Sequence, residues 1–427
     1  MKPTIALDRT IIVDANDEVV HVLLELTAPD APAVERPPLD VVLVIDRSGS
    51  MQGAPLAAVT EAVARLIRQA GPDDRIGVIA FDGSPTTVLP LGRHTRATAV
   101  DAVLAIRSGG NTNMSGGWLA GRQMLTESPR DGALRRIVVL TDGHANAGVV
   151  GADPLSDMVS GGRVDAITTS FIGFGNGYDE DLLAALADAG SGNDYFCADA
   201  DQAAAVFGDE LGGLARVVAQ NLTVDVVPTA AVAVAGQLND YPVTSLGEGG
   251  AIRLSMGDAY GAEVRSVVFS FHLRPQQQLG RIDVAQLVLR WVATADGFAA
   301  HEVTVPVSVT AGEPGAHDAD ADPRVTEQVT VLGAARARQE ARRLADRAEF
   351  DAAETVMLES RLLLSATSAS VDALAEIDAD IARIRRRRWD ASHSKSAFSS
   401  SREAMRSRRK RYQSADPTID PDAGKGF

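Results

Sequence analysis

Oxygen-bearing side chains at alternate positions follow a short apolar run near the start of the chain. Residues 39–45 read as a strand buried on both faces, and Asp46, Ser48 and Ser50 come directly after it. Gly49 lies between the two serines and can adopt backbone conformations that other residues resist. One carboxylate and two hydroxyls, with neither thiolate nor imidazole, suit a small hard cation. We therefore predict that this loop binds Mg²⁺, with Mn²⁺ or Ca²⁺ as the alternatives.

Two further segments supply ligands of the same kind. Thr112 lies in a Gly-Asn-Thr-Asn-Met loop, and Asp142 follows an apolar run in Val-Leu-Thr-Asp-Gly. Together with the Asp-x-Ser-x-Ser segment, this order resembles the von Willebrand factor type A (vWA) domain, whose metal-ion-dependent adhesion site (MIDAS) contains these ligand types. The resemblance covers roughly residues 38–215. It implies that the hydroxyls hold the ion directly and that the acids act directly or through water. The predicted metal ligands are Asp46, Ser48, Ser50, Thr112 and Asp142.

The resemblance also implies one open coordination position on the ion, which accepts a carboxylate oxygen from an Asp or Glu of a partner protein. Residues beside the ligands are candidates for the rim around this position, although Trp118, on a predicted helix, is more typical of a core. In the alternative interpretation the serines only cap the following helix and Asp46 orders the turn. Arg47 faces either a partner or a neighbouring acid. The predicted rim residues are Arg47, Met51, Asn113 and His144.

These features favour a binding protein over an enzyme. The sequence has no Gly-x4-Gly-Lys-Ser/Thr phosphate loop and no Gly-x-Ser-x-Gly elbow, and its seven histidines lack the His-Glu-x-x-His spacing of a zinc site. We predict a divalent-metal-dependent protein–protein interaction module without catalytic residues. The alternative is a structural or regulatory subunit of a larger assembly, ATP-driven assemblies included, in which the ion only rigidifies the loops. A metal-assisted hydrolase that uses Asp46 and Asp142 is the third hypothesis.

Strands and helices alternate through residues 38–218, which predicts an α/β domain with a doubly wound, mostly parallel sheet covered by helices on both faces. Such sheets bind ligands beyond the carboxyl ends of their strands, so residues as distant in sequence as Asp46 and Asp142 can share one cation. Further strands are predicted at residues 75–81, 87–91, 136–140, 165–172 and 194–197, and helices at 55–70, 95–106, 115–125, 179–189 and 201–218.

The flanking segments predict additional structure. Alternating apolar and polar residues over 219–310 indicate an antiparallel β-sandwich. Residues 1–37 carry two strands that we expect to pair into it, so the α/β domain is either inserted in the sandwich or followed by it. Residues 311–324 form an acidic linker, 325–388 a three-helix region and 389–427 a disordered basic tail. The predicted flanking strands are 4–7, 19–26, 222–227, 251–256, 263–273, 285–293 and 303–309, and the helices 325–346, 351–364 and 371–388.

The composition limits the class of protein further. The 427 residues carry a formal net charge of −16, which argues against broad nucleic-acid binding. Residues 383–427 differ, with 13 Lys and Arg against 5 Asp and Glu. This segment is predicted to contact an acidic partner, nucleic acid, an anionic surface or the protein's own acidic body. Cys197 is the single cysteine, and the sequence shows no recognisable signal or membrane segment, so we expect a cytoplasmic protein.

Overall fold

The structure is a computed structural model that describes residues 1–13, 18–30, 36–175, 177–197, 202, 206, 210, 212–213, 216–247, 249–276, 279–313, 322–365, 371–406 and 408–410. The turn predicted at 14–17, most of the helix predicted at 201–218, most of the acidic linker and the tail from residue 411 lie outside these residues. Within the described part of the chain, no helix is both long and apolar enough to cross a membrane.

Strands and helices alternate in the first half of the chain, strands dominate the middle, and helices follow. The described strands are β1 (Lys2–Leu7), β2 (Ile11–Val13), β3 (Glu18–Thr27), β4 (Leu39–Asp46), β5 (Arg75–Phe81), β6 (Pro85–Gly92), β7 (Leu134–Thr141), β8 (Ile167–Phe174), β9 (Ser191–Cys197), β10 (Val217–Pro228), β11 (Val232–Gln237), β12 (Val243–Ser245), β13 (Ile252–Tyr260), β14 (Glu263–Leu273), β15 (Gly280–Ala293), β16 (Ala299–Gly312) and β17 (Arg408–Lys410). The α-helices whose ends lie in the described part of the chain are α1 (Ala54–Gln69), α2 (Arg96–Leu104), α3 (Met114–Thr126), α4 (Ala152–Ser160), α5 (Glu180–Ala189), α6 (Pro323–Asp346), α7 (Phe350–Ser365), α8 (Val371–Arg385) and α9 (Ala391–Arg406).

The α/β domain is built on one sheet with the strand order β6-β5-β4-β7-β8-β9. Neighbouring strands are parallel, except that β6 is antiparallel to β5. Every residue of β4 and β8 is buried, because α1 and α2 cover one face of the sheet and α3, α4 and α5 cover the other. Along β4, Leu43 packs in the first layer and Val44 in the second. The predicted doubly wound, mostly parallel α/β fold is confirmed.

The flanking strands form two sheets packed face to face. One has the order β1-β3-β14-β11, with β17 also paired to β14, and the other has the order β12-β13-β10-β15-β16-β2. Among these described strands, only β2 and β16 pair in parallel. Side chains from both sheets, such as Val22, Phe269 and Leu287, fill one core. Because β1 and β3 precede the α/β domain but share a sheet with β14, the α/β domain is inserted into the β-sandwich.

A buried ion pair joins the sandwich to the α/β domain near the amino end of β7. Arg136 Nη2 donates a hydrogen bond to Asp258 Oδ2 of β13 over 2.8 Å, and the two side chains are 1% and 2% exposed. Removing either partner would leave a buried charge uncompensated. Asp142 follows the opposite end of β7, so this domain contact lies away from the residues predicted to bind the metal.

The helices after the sandwich form a compact layer. α6, α7 and α8 share an apolar core that includes Leu344, Met357 and Ile381. α6 also packs on the sandwich, where Leu332 contacts side chains of β3 and β14. The third helix predicted here was too long, because α8 ends at Arg385 and Arg387 has a left-handed backbone with φ of 51°.

The prediction of a disordered tail at 389–427 is wrong for its first part. α9 is a sixteen-residue helix, and β17 adds to the edge of β14. Ala397, Phe398, Ser401 and Met405 recur at helical spacing and are buried on one face of α9. This stripe was hidden in the sequence because serines and basic residues outnumber its apolar members.

Other differences are smaller. Val217 and Val218 begin β10 and do not end the helix predicted at 201–218, because β10 pairs with β13 and β15 on its two sides from its first residues. The short strands β2, β11 and β12 and the helix α4 were not predicted.

Candidate metal centre

The chain brings the predicted ligands to one end of the parallel sheet. Asp46 is the last residue of β4, and Asp142 comes directly after β7. β4 and β7 are adjacent and parallel, so their carboxyl ends meet at the same edge. Thr112 lies in the loop before α3, and Gly49 N donates to Gly110 O over 3.1 Å, which joins that loop to the loop after β4.

Asp46 is fully buried, and the protein engages both of its carboxylate oxygens. Ser48 N donates to Oδ1 over 2.8 Å, and Thr141 Oγ1 donates to Oδ2 over 2.6 Å. Burial raises the pKa of Asp46, against these hydrogen bonds, which lower it, and the charge of Asp142 adds to the rise. With both oxygens engaged in this way, Asp46 orients the Ser48 backbone and the Thr141 hydroxyl.

Ser48, Ser50 and Asp142 are linked by short hydrogen bonds. Ser48 Oγ and Ser50 Oγ are 3.1 Å apart, and Ser50 Oγ donates to Asp142 Oδ1 over 2.7 Å. Ser48 is buried, whereas Ser50 is exposed and Asp142 is half-buried. Burial also raises the pKa of Asp142, although the Ser50 hydroxyl lowers it. This part of the cluster therefore lies at the protein surface, above the buried Asp46.

Thr112 approaches the cluster beside Gly143. A Cβ placed on Gly143 would lie 3.7 Å from Ser50 Oγ and 3.9 Å from Thr112 Oγ1, so both hydroxyls face the same glycine. Thr112 is buried, but among the five predicted ligands it alone makes no hydrogen bond to another member. Hydrogen bonds therefore connect Asp46, Ser48, Ser50 and Asp142. The Thr112 hydroxyl lies near the same glycine as the Ser50 hydroxyl.

The chemistry of this donor set fits a hard divalent ion. Among the described residues, no Arg, Lys or His nitrogen lies within 4.0 Å of the Asp46 or Asp142 carboxylate, so no protein cation pairs with either acid. The described chain also has no cluster of three or more His, Cys, Asp or Glu that could hold a metal ion. Hydroxyls with two carboxylates are typical of Mg²⁺, Mn²⁺ or Ca²⁺ and atypical of softer metals.

The four residues predicted to form the rim differ in where their side chains lie. The prediction for Met51 is wrong, because the 3₁₀ turn Gly49–Met51 directs its side chain into the core, where it is 0% exposed. Arg47 faces a neighbouring acid, with Nη2 3.0 Å from Asp82 Oδ2. Asn113 caps α3 by accepting from Gly116 N over 2.9 Å. His144 is exposed.

Trp118 lies in the core, as its place on a helix suggested. It is 0% exposed, and its Nε1 donates to Thr169 Oγ1 over 3.1 Å. Two other residues that contact the cluster were not predicted, namely Thr141, which binds Asp46, and Asn146, whose Oδ1 accepts from Thr112 N over 2.8 Å. Thr141 precedes a predicted ligand and Asn146 follows it closely, but only the fold shows what they contact.

The fold and the hydroxyl–carboxylate centre define a class of domain. Residues 40–209 match the von Willebrand factor type A domain family, and this part of the chain is a vWA domain. Domains of this type commonly mediate protein–protein interaction and bind a divalent metal ion at a MIDAS.

Similar proteins come from bacteria and plants. The uncharacterized protein YfbK of Escherichia coli is 26% identical over 210 residues, which cover 48% of this chain and 36% of that protein. The uncharacterized protein sll0103 of Synechocystis is 25% identical over 305 residues, 70% of this chain and 71% of that one. The E3 ubiquitin-protein ligase WAV3 of Arabidopsis thaliana is 25% identical over 361 residues, 82% of this chain and 46% of that one. The chain thus spans less than half of the Escherichia coli and Arabidopsis proteins.

Solved structures share the fold over nearly the whole chain. The von Willebrand factor type A protein from Catenulispora acidiphila has a TM-score of 0.72 at 16% identity, covering 96% of this chain and 97% of that one. The ArnB paralog VWA2 from Sulfolobus acidocaldarius has a TM-score of 0.64 at 15% identity, covering 95% and 98%. At these identities the likeness shows the fold alone, but it extends to the sandwich and the C-terminal helices.

Proposed function

We propose that this protein is a divalent-metal-dependent protein-binding module whose partner presents an Asp or Glu side chain. The ion would be Mg²⁺, with Mn²⁺ or Ca²⁺ as alternatives, in a complete MIDAS. The observation that carries the proposal is the pair of carboxylates at the carboxyl edge of the sheet that no cation of the described chain neutralises. The ligands would be Asp46, Ser48, Ser50, Thr112 and Asp142.

The arrangement of the residues supports binding to an outside group. A bound divalent ion supplies positive charge and one coordination position for a carboxylate oxygen. Asp46 sits beneath the site with both oxygens held, while Ser50 and Asp142 form its accessible side. His144 and Asn111 are exposed in the flanking loops. A partner's acid could therefore reach the site without rearrangement of the sandwich, which contacts the opposite end of β7.

The same contacts disfavour an ion that only rigidifies the loops. Ser48, Ser50 and Asp142 already join the loops after β4 and β7 by direct hydrogen bonds. Backbone hydrogen bonds from Gly49 to Gly110 and from Gly109 to Arg47 join the loop of Thr112 to the loop after β4. Because these loops are held together by protein contacts, an ion is not needed for that purpose alone.

We also propose that the protein is not an enzyme. In the described chain no Lys, Arg or His nitrogen lies within 4.0 Å of the two carboxylates, so neither acid is paired with a basic side chain that could exchange a proton with it. The ligase activity in the name of the Arabidopsis relative belongs to a protein of which this chain spans 46%. The proposal of a reducing, cytoplasmic location rests on the cysteine count, since Cys197 is the single cysteine of the sequence and leaves no internal disulfide to form.

Metal binding is tested first, with Mn²⁺ or Mg²⁺ titrated into the full-length protein by calorimetry. Asp142→Ala should abolish the high-affinity site because it removes the accessible carboxylate. The matched control is Asp153→Ala, an exposed acid in the first turn of α4, which should bind like the wild type. If Asp142→Ala and the wild type bind the ion equally, the proposed site is wrong.

Partner binding is tested next with the immobilised protein and cell lysate. Specific partners should be retained in Mg²⁺, and lost both in chelator and from Asp142→Ala, but kept by Asp153→Ala. Addition of a Glu-containing peptide should compete with them. Partners that persist in chelator, from a protein that does bind the ion, would favour the alternative of a structural or regulatory subunit.

A further inference from the structure

The side chain of Asn146 holds the backbone of Thr112 from a separate loop. Asn146 Oδ1 accepts from Thr112 N over 2.8 Å, while Asn146 N and Ala147 N donate to Thr112 O over 3.0 and 3.2 Å. The peptide groups on both sides of the threonine side chain are therefore satisfied by the loop that begins at Asp142. This is the same loop that supplies the accessible carboxylate of the metal centre.

We propose that Asn146 is a positioning residue of the metal centre, which sets the place of the Thr112 hydroxyl relative to Asp142. The inference rests on the proposed metal site. Thr112 is the one predicted ligand with no hydrogen bond to the others, so its place must be fixed through its backbone. The Asn146 carboxamide is the side chain that does this, beside the backbone N–H groups of Asn146 and Ala147, which hold Thr112 O.

Neighbouring contacts limit what else could fix the threonine. Asn113 N donates to Asp82 O over 2.8 Å, and the Asn113 side chain is committed to the start of α3 through Gly116 N. These bonds hold Asn113, the residue after Thr112, and do not involve the Thr112 N–H or C=O groups. Loss of the Asn146 side chain would remove the protein acceptor of the Thr112 N–H, while the backbone bonds to Thr112 O would remain.

The first test measures Mn²⁺ affinity of the full-length protein by calorimetry. Asn146→Ala should weaken binding about 10- to 100-fold, the usual effect of removing a group that orients a metal ligand. Asn146→Asp keeps an acceptor oxygen in place and should bind at least as tightly as the wild type. The matched control is Asn111→Ala, an exposed asparagine next to Thr112, which should have no effect.

Charge and position are separated by two further variants. Asn111→Asp combined with Asn146→Ala adds a carboxylate beside Thr112 without the hydrogen bond, and it should not restore affinity. In a Thr112→Val background, Asn146→Ala should cost little more, because the hydroxyl that it positions is already gone. Restoration by the added charge, or full additivity with Thr112→Val, would overturn the inference.

A readout without metal completes the test. In chelator, amide hydrogen exchange at Thr112 should be faster in Asn146→Ala than in the wild type and normal in Asn111→Ala and Asn146→Asp. If the wild type itself binds Mn²⁺ no better than Asp142→Ala, the proposed function has failed. If the wild type binds and Asn146→Ala binds equally, only the positioning role has failed.

Discussion

Two groups of acids in this protein differ in how their charge is balanced. The metal-centre pair is Asp46 and Asp142, which no described cation contacts. The second group, the α9 seat, is matched by basic side chains of α9 over more than 150 residues of sequence separation. Its members are Glu180, Asp188, Asp194 and Asp240, and their partners are Lys395, Arg402 and Arg406.

The pKa directions follow this difference. Burial opposes the charge of Arg402, but the carboxylates of Asp194, Asp188 and Asp240 outweigh it and raise its pKa. For Asp46, burial is the largest influence and raises the pKa, with no cation to offset it. An acid matched by the chain's own cations is part of the fold. A buried acid without such a match, at the edge where parallel sheets bind ligands, is suited to an outside cation.

The largest expected effect comes from removing a basic partner of the α9 seat. Arg402 Nη2 donates to Asp188 Oδ1 over 2.7 Å and its Nε donates to Asp194 Oδ1 over 2.8 Å, with the side chain 12% exposed. Arg402→Ala should lower the free energy of unfolding by about 3 kcal/mol in urea titrations, because it leaves partly buried acids uncompensated. Arg386→Ala, which replaces an exposed arginine directly after α8, is the control and should change little. A loss no larger than that of the control would show that α9 is held by its apolar stripe alone.

The second effect concerns only the metal-centre pair. Mg²⁺ at about 100 times its dissociation constant should raise the free energy of unfolding by about 2.7 kcal/mol. Asp142→Ala should lose this increment, and Arg402→Ala should keep it, since that substitution leaves Asp46, Asp142 and the serine hydroxyls of the metal centre unchanged. Thermal unfolding with Mg²⁺ and with chelator measures both. An increment retained by Asp142→Ala would place the stabilising ion elsewhere.

The sequence indicated that Asp46 and Asp142 lie close together, but it did not indicate the contacts of α9, for a physical reason. Asp46 and Asp142 each follow an apolar strand, and a parallel sheet brings such strand ends together whatever their sequence separation. The partners of Arg402 are 208 and 214 residues away on elements whose contact with α9 no local pattern encodes. Composition alone therefore indicated a disordered tail where the structure has a buried helix.

Details around the site were unpredictable for the same reason. Met51 is one residue after a ligand, but the 3₁₀ turn sends its side chain inward. Thr141 and Asn146 lie close to Asp142 in sequence, yet their partners Asp46 and Thr112 come from other segments of the chain. Spacing along the chain identifies which residues have the right chemistry, whereas hydrogen bonds between loops depend on the finished fold.

The third effect tests whether Asp46 lacks a matching charge. Its pKa is raised by burial, so the folded protein holds the proton more tightly than the unfolded chain, and ionised Asp46 lowers stability at neutral pH. This cost disappears as pH falls through the raised folded pKa. In chelator, the wild type should gain stability relative to Asp46→Asn as the pH falls from neutral through the raised pKa of Asp46. A constant difference across this range would mean that Asp46 does not titrate as an unmatched acid.

The smallest effect concerns Arg47, which lies between two ligands in sequence but pairs with Asp82 in the structure. Both side chains are partly exposed, at 26% and 16%, so Arg47→Ala should lower the free energy of unfolding by only about 0.5 kcal/mol. The Mg²⁺ dissociation constant should stay the same, because the guanidinium faces Asp82 and not the metal-centre pair. His144→Ala is the control for the exposed rim and should change neither quantity. A Mg²⁺ affinity that rises about tenfold in Arg47→Ala would show that Arg47 repels the ion. The metal-centre pair would then have a basic neighbour, as the acids of the α9 seat do, and the contrast between the two groups would be weaker.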